Sequence, residues 1–304
     1  HVGSSLASAL FDRTPWPLPP LARGMSDALE MVPTCIGLVG VGTIGSAVVR
    51  GLCRVGGLKL KTKFVISPRN AEKAAALAAE FPDLIRIAGS NQAVVDATDC
   101  VIISVLPKQA EEVIGALKFR PEQQVLSLIA TCPLQRIKEL VAPAEQCAVG
   151  VPLPAVAIRQ GATLLMPSLP WAQAIFELLG SCVAVDDEAV FKRMQCMTAL
   201  MGDFYKRQLT AQQWLESHDV PNVQAAAWVG AIFSTMAADS AKAGPDTLHK
   251  LVEEQTPGGV NEMVWKGQDE DGAYQGLCLG LDQAHVRFMI GKTDPDLAPA
   301  AKRS

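Results

Sequence analysis

No apolar run in this chain approaches the roughly 18 residues that a membrane span requires, although hydrophobic residues make up 49% of it. No membrane partner is expected. Histidine is scarce: His1, His218, His249 and His285 are the only ones, and no two stand at ligand spacing. A metal site is therefore not expected. Basic residues are scattered and the formal net charge is -4, so no stripe tracks phosphates and nucleic acid is not an expected partner. Eight cysteines are present without a Cys-x-x-Cys pair, most of them inside apolar runs. They read as small buried hydrophobes in a reducing compartment rather than a disulfide framework, and the cytoplasm is the expected location. No internal repeat is evident.

A length of 304 residues allows one large or two medium domains. Residues 1–33 hold Pro15, Pro17, Pro19 and Pro20 and lack periodicity. They read as a disordered extension or as the remnant of a targeting peptide, which would imply an organelle instead. Residues 292–304, with Pro295 and Pro299, read as an unstructured tail. Between them, strand and helix patterns alternate over 34–186 and helical patterns alone fill 187–291. The fold class is thus α/β: an N-terminal doubly wound parallel-sheet (Rossmann) domain followed by an all-α domain.

The case starts at Cys35–Val39, an apolar run suited to a buried parallel strand. It is followed by Gly40-Val41-Gly42-Thr43-Ile44-Gly45, and then by Ile44, Val48, Leu52 and Val55 at helical spacing. Gly40 allows the tight turn, Gly42 lets backbone approach a pyrophosphate, and Gly45 lets the helix pack on the strand. The helix start, at Thr43 and Ile44, offers free N–H groups to the anion. The glycine spacing alone is a weak signal; its place between strand and amphipathic helix gives it weight. The second strand ends Ser67-Pro68-Arg69-Asn70, without the carboxylate that would bind a ribose 2′-hydroxyl. A hydroxyl, a guanidinium and an amide suit a 2′-phosphate, so NADPH is the expected cofactor, with NADH the alternative. Strands and helices go on alternating to about Val185.

From Asp187 the strand pattern stops. Val190, Met194, Met197, Met201 and Phe204 follow a helical period and predict one buried stripe. Ala226, Gly230, Ser234 and Ala238 share one helix face and allow close approach of another helix, within the domain or across a homo-oligomer. Between helices lies Thr256-Pro257-Gly258-Gly259-Val260-Asn261. Its glycines ahead of a helix either expose amides that can hold a carboxylate or simply connect two helices. On these signals 34–186 is expected to be a dinucleotide-binding domain and 187–291 a helical substrate and dimerisation domain.

Several of these segments together resemble the pyrroline-5-carboxylate reductase family, from Cys35 to about Gly291. Gly40 to Gly45 resembles that family's nucleotide loop, and Val105-Leu106-Pro107-Lys108-Gln109 its Val-Lys-Pro-Gln segment bordering the nicotinamide. Thr256-Pro257-Gly258-Gly259 resembles its substrate-gripping Ser-Pro-Gly-Gly loop. The resemblance implies an NAD(P)H-dependent oxidoreductase acting on CH–NH, reducing 1-pyrroline-5-carboxylate to proline, and a homodimer or larger homo-oligomer. It implies that Val105 and Pro107 border the cofactor and that Thr256, Gly258, Gly259 and Val260 hold the imine acid. It also implies that Asn261 positions the substrate, where the family has threonine. Departures accompany these matches: the Met-Pro-Asn-Thr-Pro segment appears as Val151-Pro152-Leu153-Pro154-Ala155, and the Gly-Ser-Gly-Pro-Ala-Tyr stretch is replaced around Gly202.

Two alternatives accompany this reading. Gly202-Asp203-Phe204-Tyr205-Lys206 matches the Gly-x-x-x-Lys pattern of β-hydroxyacid dehydrogenases, although Leu209 stands where asparagine is expected. The lost asparagine and threonine also suit a catalytically weak paralogue that binds NADPH.

Overall fold

The computed structural model describes residues 25–55, 62–241 and 244–290, in two compact units that divide between Ala184 and Val185. The targeting reading of residues 1–24 and the tail reading of 292–304 lie outside the described residues.

The first unit carries one eight-stranded sheet in the order β3-β2-β1-β4-β5-β6-β7-β8. Its strands are β1 (Cys35–Val39), β2 (Lys63–Ile66), β3 (Ile85–Ile87), β4 (Cys100–Ile103), β5 (Gln124–Ser127), β6 (Gln146–Pro152), β7 (Gly161–Met166) and β8 (Gly180–Ala184). The helices are α1 (Met25–Met31), α2 (Thr43–Cys53), α3 (Ala71–Glu80), α4 (Asn91–Asp96), α5 (Ala110–Gly115), α6 (Leu134–Val141) and α7 (Pro170–Glu177). Strands β1 to β5 pair in parallel. Their side chains are apolar on both faces because helices cover both, and all four residues of β4 are buried. Chain order reverses at β1, which has β2 on one side and β4 on the other. Such a switch point opens a crevice at the carboxyl ends of the strands.

Three findings correct the sequence expectations. The sheet is not wholly parallel: β7 runs antiparallel to β6, with Val149 opposite Met166. Residues 153–160 between them hold only a short 3-10 turn, Pro154–Ile158, and a parallel return needs a crossover of a dozen or more residues. Next, α1 falls inside the stretch read as a disordered extension. Ala28 and Val32 are buried in the core and α1 packs on α7, so apolar contact orders residues whose local sequence shows no period. The short elements β3 and α4 have no counterpart in the sequence reading either.

Side-chain caps start several helices, as expected of short polar residues at that place. Asn70 accepts from Lys73 N–H at the start of α3, and Ser90 from Ala93 N–H at the start of α4. Glu80 at the end of α3 pairs with Arg50 at 2.7 Å and Arg54 at 3.2 Å, tying α3 to α2.

Among its described residues the second unit has helices and no strand: α8 (Glu188–Gln195), α9 (Leu200–Glu216), α10 (Asn222–Ser240), α11 (Thr247–Glu253), α12 (Val260–Glu270) and α13 (Ala273–Ile290). Asp187 caps α8 by accepting from Val190 N–H at 2.8 Å. Helices α9 and α10 pack together, with Phe204 edge-on to Phe233 at 5.8 Å. The stripe expected to be buried is not. Val190, Met197, Met201 and Phe204 are all exposed, and Phe191, Gln195, Cys196, Ala225 and Val229 are the buried residues here among those described. Helical period identifies the apolar face but not what covers it. No helix among the described residues is long and apolar enough to cross a membrane.

Candidate dinucleotide site and substrate loop

At the switch point the chain leaves β1 into Gly40, whose φ of +95° suits glycine alone; a Cβ there would lie 2.5 Å from the Ser104 carbonyl. Gly40 N–H donates to Ser67 Oγ at 3.1 Å, which braces the turn from the end of β2. Helix α2 then begins at Gly42 with no side-chain cap and no acidic residue in its first turn. Its first amides and its dipole therefore face outward, an arrangement that accepts an anion. At Gly45 a Cβ would meet Ser104 and Leu38 within 3 Å, so this glycine seats α2 against β1 and β4.

A cavity of about 780 Å³ opens over this turn, across the carboxyl ends of β1, β2, β4 and β5. Gly40, Gly42, Thr43, Ile44, Arg69, Asn70, Val105 and Pro107 all line it, so eight of the ten residues expected to bind the cofactor come together. Gly45 and Ser67 do not line it. Ser67 is buried with its hydroxyl turned to Gly40, so it shapes the turn and does not present itself to a ribose phosphate. Lys73, in the first turn of α3, takes that place beside Arg69 and lines the cavity. Sequence reasoning missed it, yet one helical turn past Asn70 is where a side chain returns to the helix start. Arg69 and Lys73 have no ion pair among the described residues.

The lining contains no carboxylate, imidazole or thiol. Cys132, one residue beyond the lining residue Thr131, is half-buried, and burial, with Glu111 adding, pushes its thiol up. It is not an activated nucleophile.

The second unit places the loop before α12 as a glycine turn, with Gly258 at φ +73° and Gly259 as the residue preceding the helix. Its amides are not all open. Gly258 N–H donates to Glu262 Oε2 at 2.6 Å, and Gly259 N–H to the Thr256 carbonyl at 2.8 Å. This corrects the expectation that Gly258 and Gly259 offer free donors to a carboxylate; Val260 opens the helix. Glu262, three residues past Gly259, closes back on the turn as a capping carboxylate does. Lys266 at 2.6 Å, and then the Gly258 amide, hold the Glu262 carboxyl below the usual carboxylate range. Asn261 is exposed and donates from Nδ2 to Gln255 Oε1 at 2.9 Å. Both residues line a groove of about 1250 Å³ walled by Trp214, Trp265 and Phe233, where Lys206 also stands.

The reversal at β1, the positive-φ glycine and the uncapped helix define a class: a doubly wound domain of the dinucleotide-binding type, followed by a helical unit. Comparison with known proteins points further. A family model described as NADP oxidoreductase, coenzyme F420-dependent, matches residues 35–131. Pyrroline-5-carboxylate reductase of Methanosarcina acetivorans is 25% identical over 55% of this chain and 63% of its own length. The chain thus spans less than two thirds of the curated relatives it matches. The crystal structure of 1-pyrroline-5-carboxylate reductase from Streptococcus pyogenes superposes with a TM-score of 0.70, at 20% identity, over 84% of this chain and 97% of that one. A reductive aminase from Aspergillus terreus, in complex with NADPH and ethyl levulinate, gives 0.54 at 17% identity, over 86% and 96%. At these identities the solved structures show a shared fold, and the curated relative a resemblance over part of the chain.

Proposed function

We propose that this chain is an NADPH-dependent oxidoreductase acting on CH–NH, which reduces the C=N bond of a small cyclic imine. 1-Pyrroline-5-carboxylate, reduced to proline, is the substrate that the family resemblance brings forward. The observation that carries the reading is the cavity itself. Its glycine turn and free helix start suit a pyrophosphate, and its one charged end, Arg69 and Lys73, suits a 2′-phosphate. The Aspergillus terreus relative is described with NADPH. A bound nicotinamide would supply the hydride; the protein's part is to bind, orient and exclude water. An imine that enters protonated on its own nitrogen needs no strong acid from the protein, in keeping with a lining that has no titratable group besides Arg69 and Lys73.

Gly40, Gly42, Thr43 and Ile44 would cradle the pyrophosphate, with Gly45 and Ser67 holding that turn in shape. Val105 and Pro107 would border the nicotinamide. Thr256, Val260 and Asn261 remain the contacts proposed for substrate in the helical unit. The assembly proposed is a homodimer or larger homo-oligomer. Its support is the open face of α10, where Ala226, Gly230, Ser234 and Ala238 are exposed and a Cβ on Gly230 would meet nothing within 4 Å. The cytoplasm is the proposed compartment.

NADPH oxidation against a panel of cyclic imines, with and without a carboxylate, tests the reading. Oxidation with at least one of them is expected. Tight NADPH binding without turnover on any would replace it with the catalytically weak paralogue, and turnover of a β-hydroxyacid instead would favour the dehydrogenase pattern around Lys206.

A further inference from the structure

We propose that Leu106 determines the substrate class, and that the imine this chain prefers carries an apolar body and no carboxylate. The inference rests on the C=N reduction proposed above and narrows it.

Charge in the cavity is confined to one end. Arg69 and Lys73 stand at the β2–α3 side, where the 2′-phosphate is assigned. Along the opposite side, the lining residues that follow β4 and β5 are neutral; Val105, Leu106, Pro107, Leu128 and Ile129 make most of that wall apolar. Leu106 is 58% exposed, so its side chain offers contact area instead of filling the core. A carboxylate brought against this wall would lose water and find no cation among the lining residues, since Lys108 in the same turn does not line the cavity, and that transfer is unfavourable. A hydrocarbon ring would cover Leu106 and gain by leaving water. Ser104, Gln109 and Thr131 remain as neutral polar groups, suited to an imine or amine nitrogen.

A second observation, in the other unit, agrees independently. The glycine loop that would otherwise take a carboxylate gives its Gly258 amide to Glu262 and its Gly259 amide to Thr256. Two donors are engaged, and a negative side chain of the protein's own already lies on the turn.

The chemistry balances without further reagents. The iminium carbon would accept a hydride supplied by a bound reduced nicotinamide, the C=N π pair would move onto nitrogen, and the nitrogen would keep the proton it brought. The products are a cyclic amine and oxidised cofactor.

The test compares kcat/KM, with NADPH, for 2-methyl-1-pyrroline and 1-pyrroline-5-carboxylate in wild type, Leu106→Lys and Leu106→Gln. Calorimetric binding of 2-methylpyrrolidine and of proline to the NADP+-loaded protein gives a second readout. Wild type is expected to favour the uncharged pair at least tenfold in both measurements. Leu106→Lys should move the ratio at least tenfold toward the acid. Leu106→Gln should lose turnover of the apolar imine without gaining the acid. A wild-type preference for pyrroline-5-carboxylate and proline, or a ratio that Leu106→Lys leaves in place, overturns the proposal while C=N reduction stands. No turnover of either imine together with no binding of either amine overturns both.

Discussion

In the first unit, Phe64, Phe176, Ile102 and Leu126 lie inside, each with essentially no exposed surface. In the second, Trp214, Trp228, Met263 and Val264 lie open, and few apolar residues are covered. Both units are built from elements with apolar faces, yet only one finds within itself what those faces need. A sheet coated by helices on both sides closes its own core. A set of helices whose apolar stripes point outward leaves large hydrophobic area uncovered, and such area marks association. The first unit thus covers its own apolar faces, whereas the second, among its described residues, leaves several exposed; the homo-oligomer proposed above would cover them.

The largest contrast should appear in stability. Leu52, fully buried on α2, should cost about 2–5 kcal/mol when replaced by alanine. Met201, 40% exposed, should cost within about 0.5 kcal/mol in protein diluted to monomer, as surface substitutions do. Denaturant unfolding of both variants measures this, and equal losses would break the comparison. Next is assembly: Trp228, 61% exposed on α10, should weaken self-association when changed to aspartate. A hot-spot residue is worth about 2 kcal/mol or more, roughly thirtyfold in affinity. Sedimentation across a concentration series reads it, and a wild-type monomer at micromolar concentration would refute the assembly reading.

In the nucleotide module, Arg69→Ala and Lys73→Ala should each weaken NADPH binding by about 1.5–3 kcal/mol, the worth of a hydrogen bond to a charged group. NADH affinity should change little. Fluorescence titration decides, and equal effects on both cofactors would remove the 2′-phosphate assignment.

The smallest effect concerns pH in the helical unit. Glu262 is held below its unfolded pKa by Lys266 and the Gly258 amide. The contact is complete above the ordinary glutamate range and is lost as pH falls through the lowered folded value. Protection of the Gly258 amide against exchange, relative to the free-chain rate at the same pH, should fall in acid, and Glu262→Gln should abolish that step. An exchange profile unchanged by the substitution would show that the carboxylate does not guard this amide.

Much of the first unit was legible in the sequence because its signals are local. An apolar run followed by three spaced glycines and a helical period leaves few structures open, and the cavity assembles around those residues. What escaped is what tertiary contact decides. Ser67 stands at the right strand end, but its hydroxyl turns inward to Gly40 N–H. Lys73 is named by no motif and lines the cavity from the first turn of α3, just after its cap Asn70. Glu262 closes the glycine loop from one helical turn away, and spacing does not distinguish an amide open to a ligand from one already bonded. The stripe from Val190 to Phe204 shows the same limit. Its period is helical as read, but burial is a property of the partner and not of the period.

Helix α1 sets the boundary for cutting this gene. Its Ala28, and Val32 just past its end, cover core residues beside α7, where Ala172 and Ile175 are fully buried. A fragment beginning at Cys35, the first residue of the sheet, would uncover that apolar trench on an otherwise closed nucleotide module. Expressed alone, such a fragment should precipitate or capture neighbouring chains, whereas one beginning before Met25 should stay dispersed.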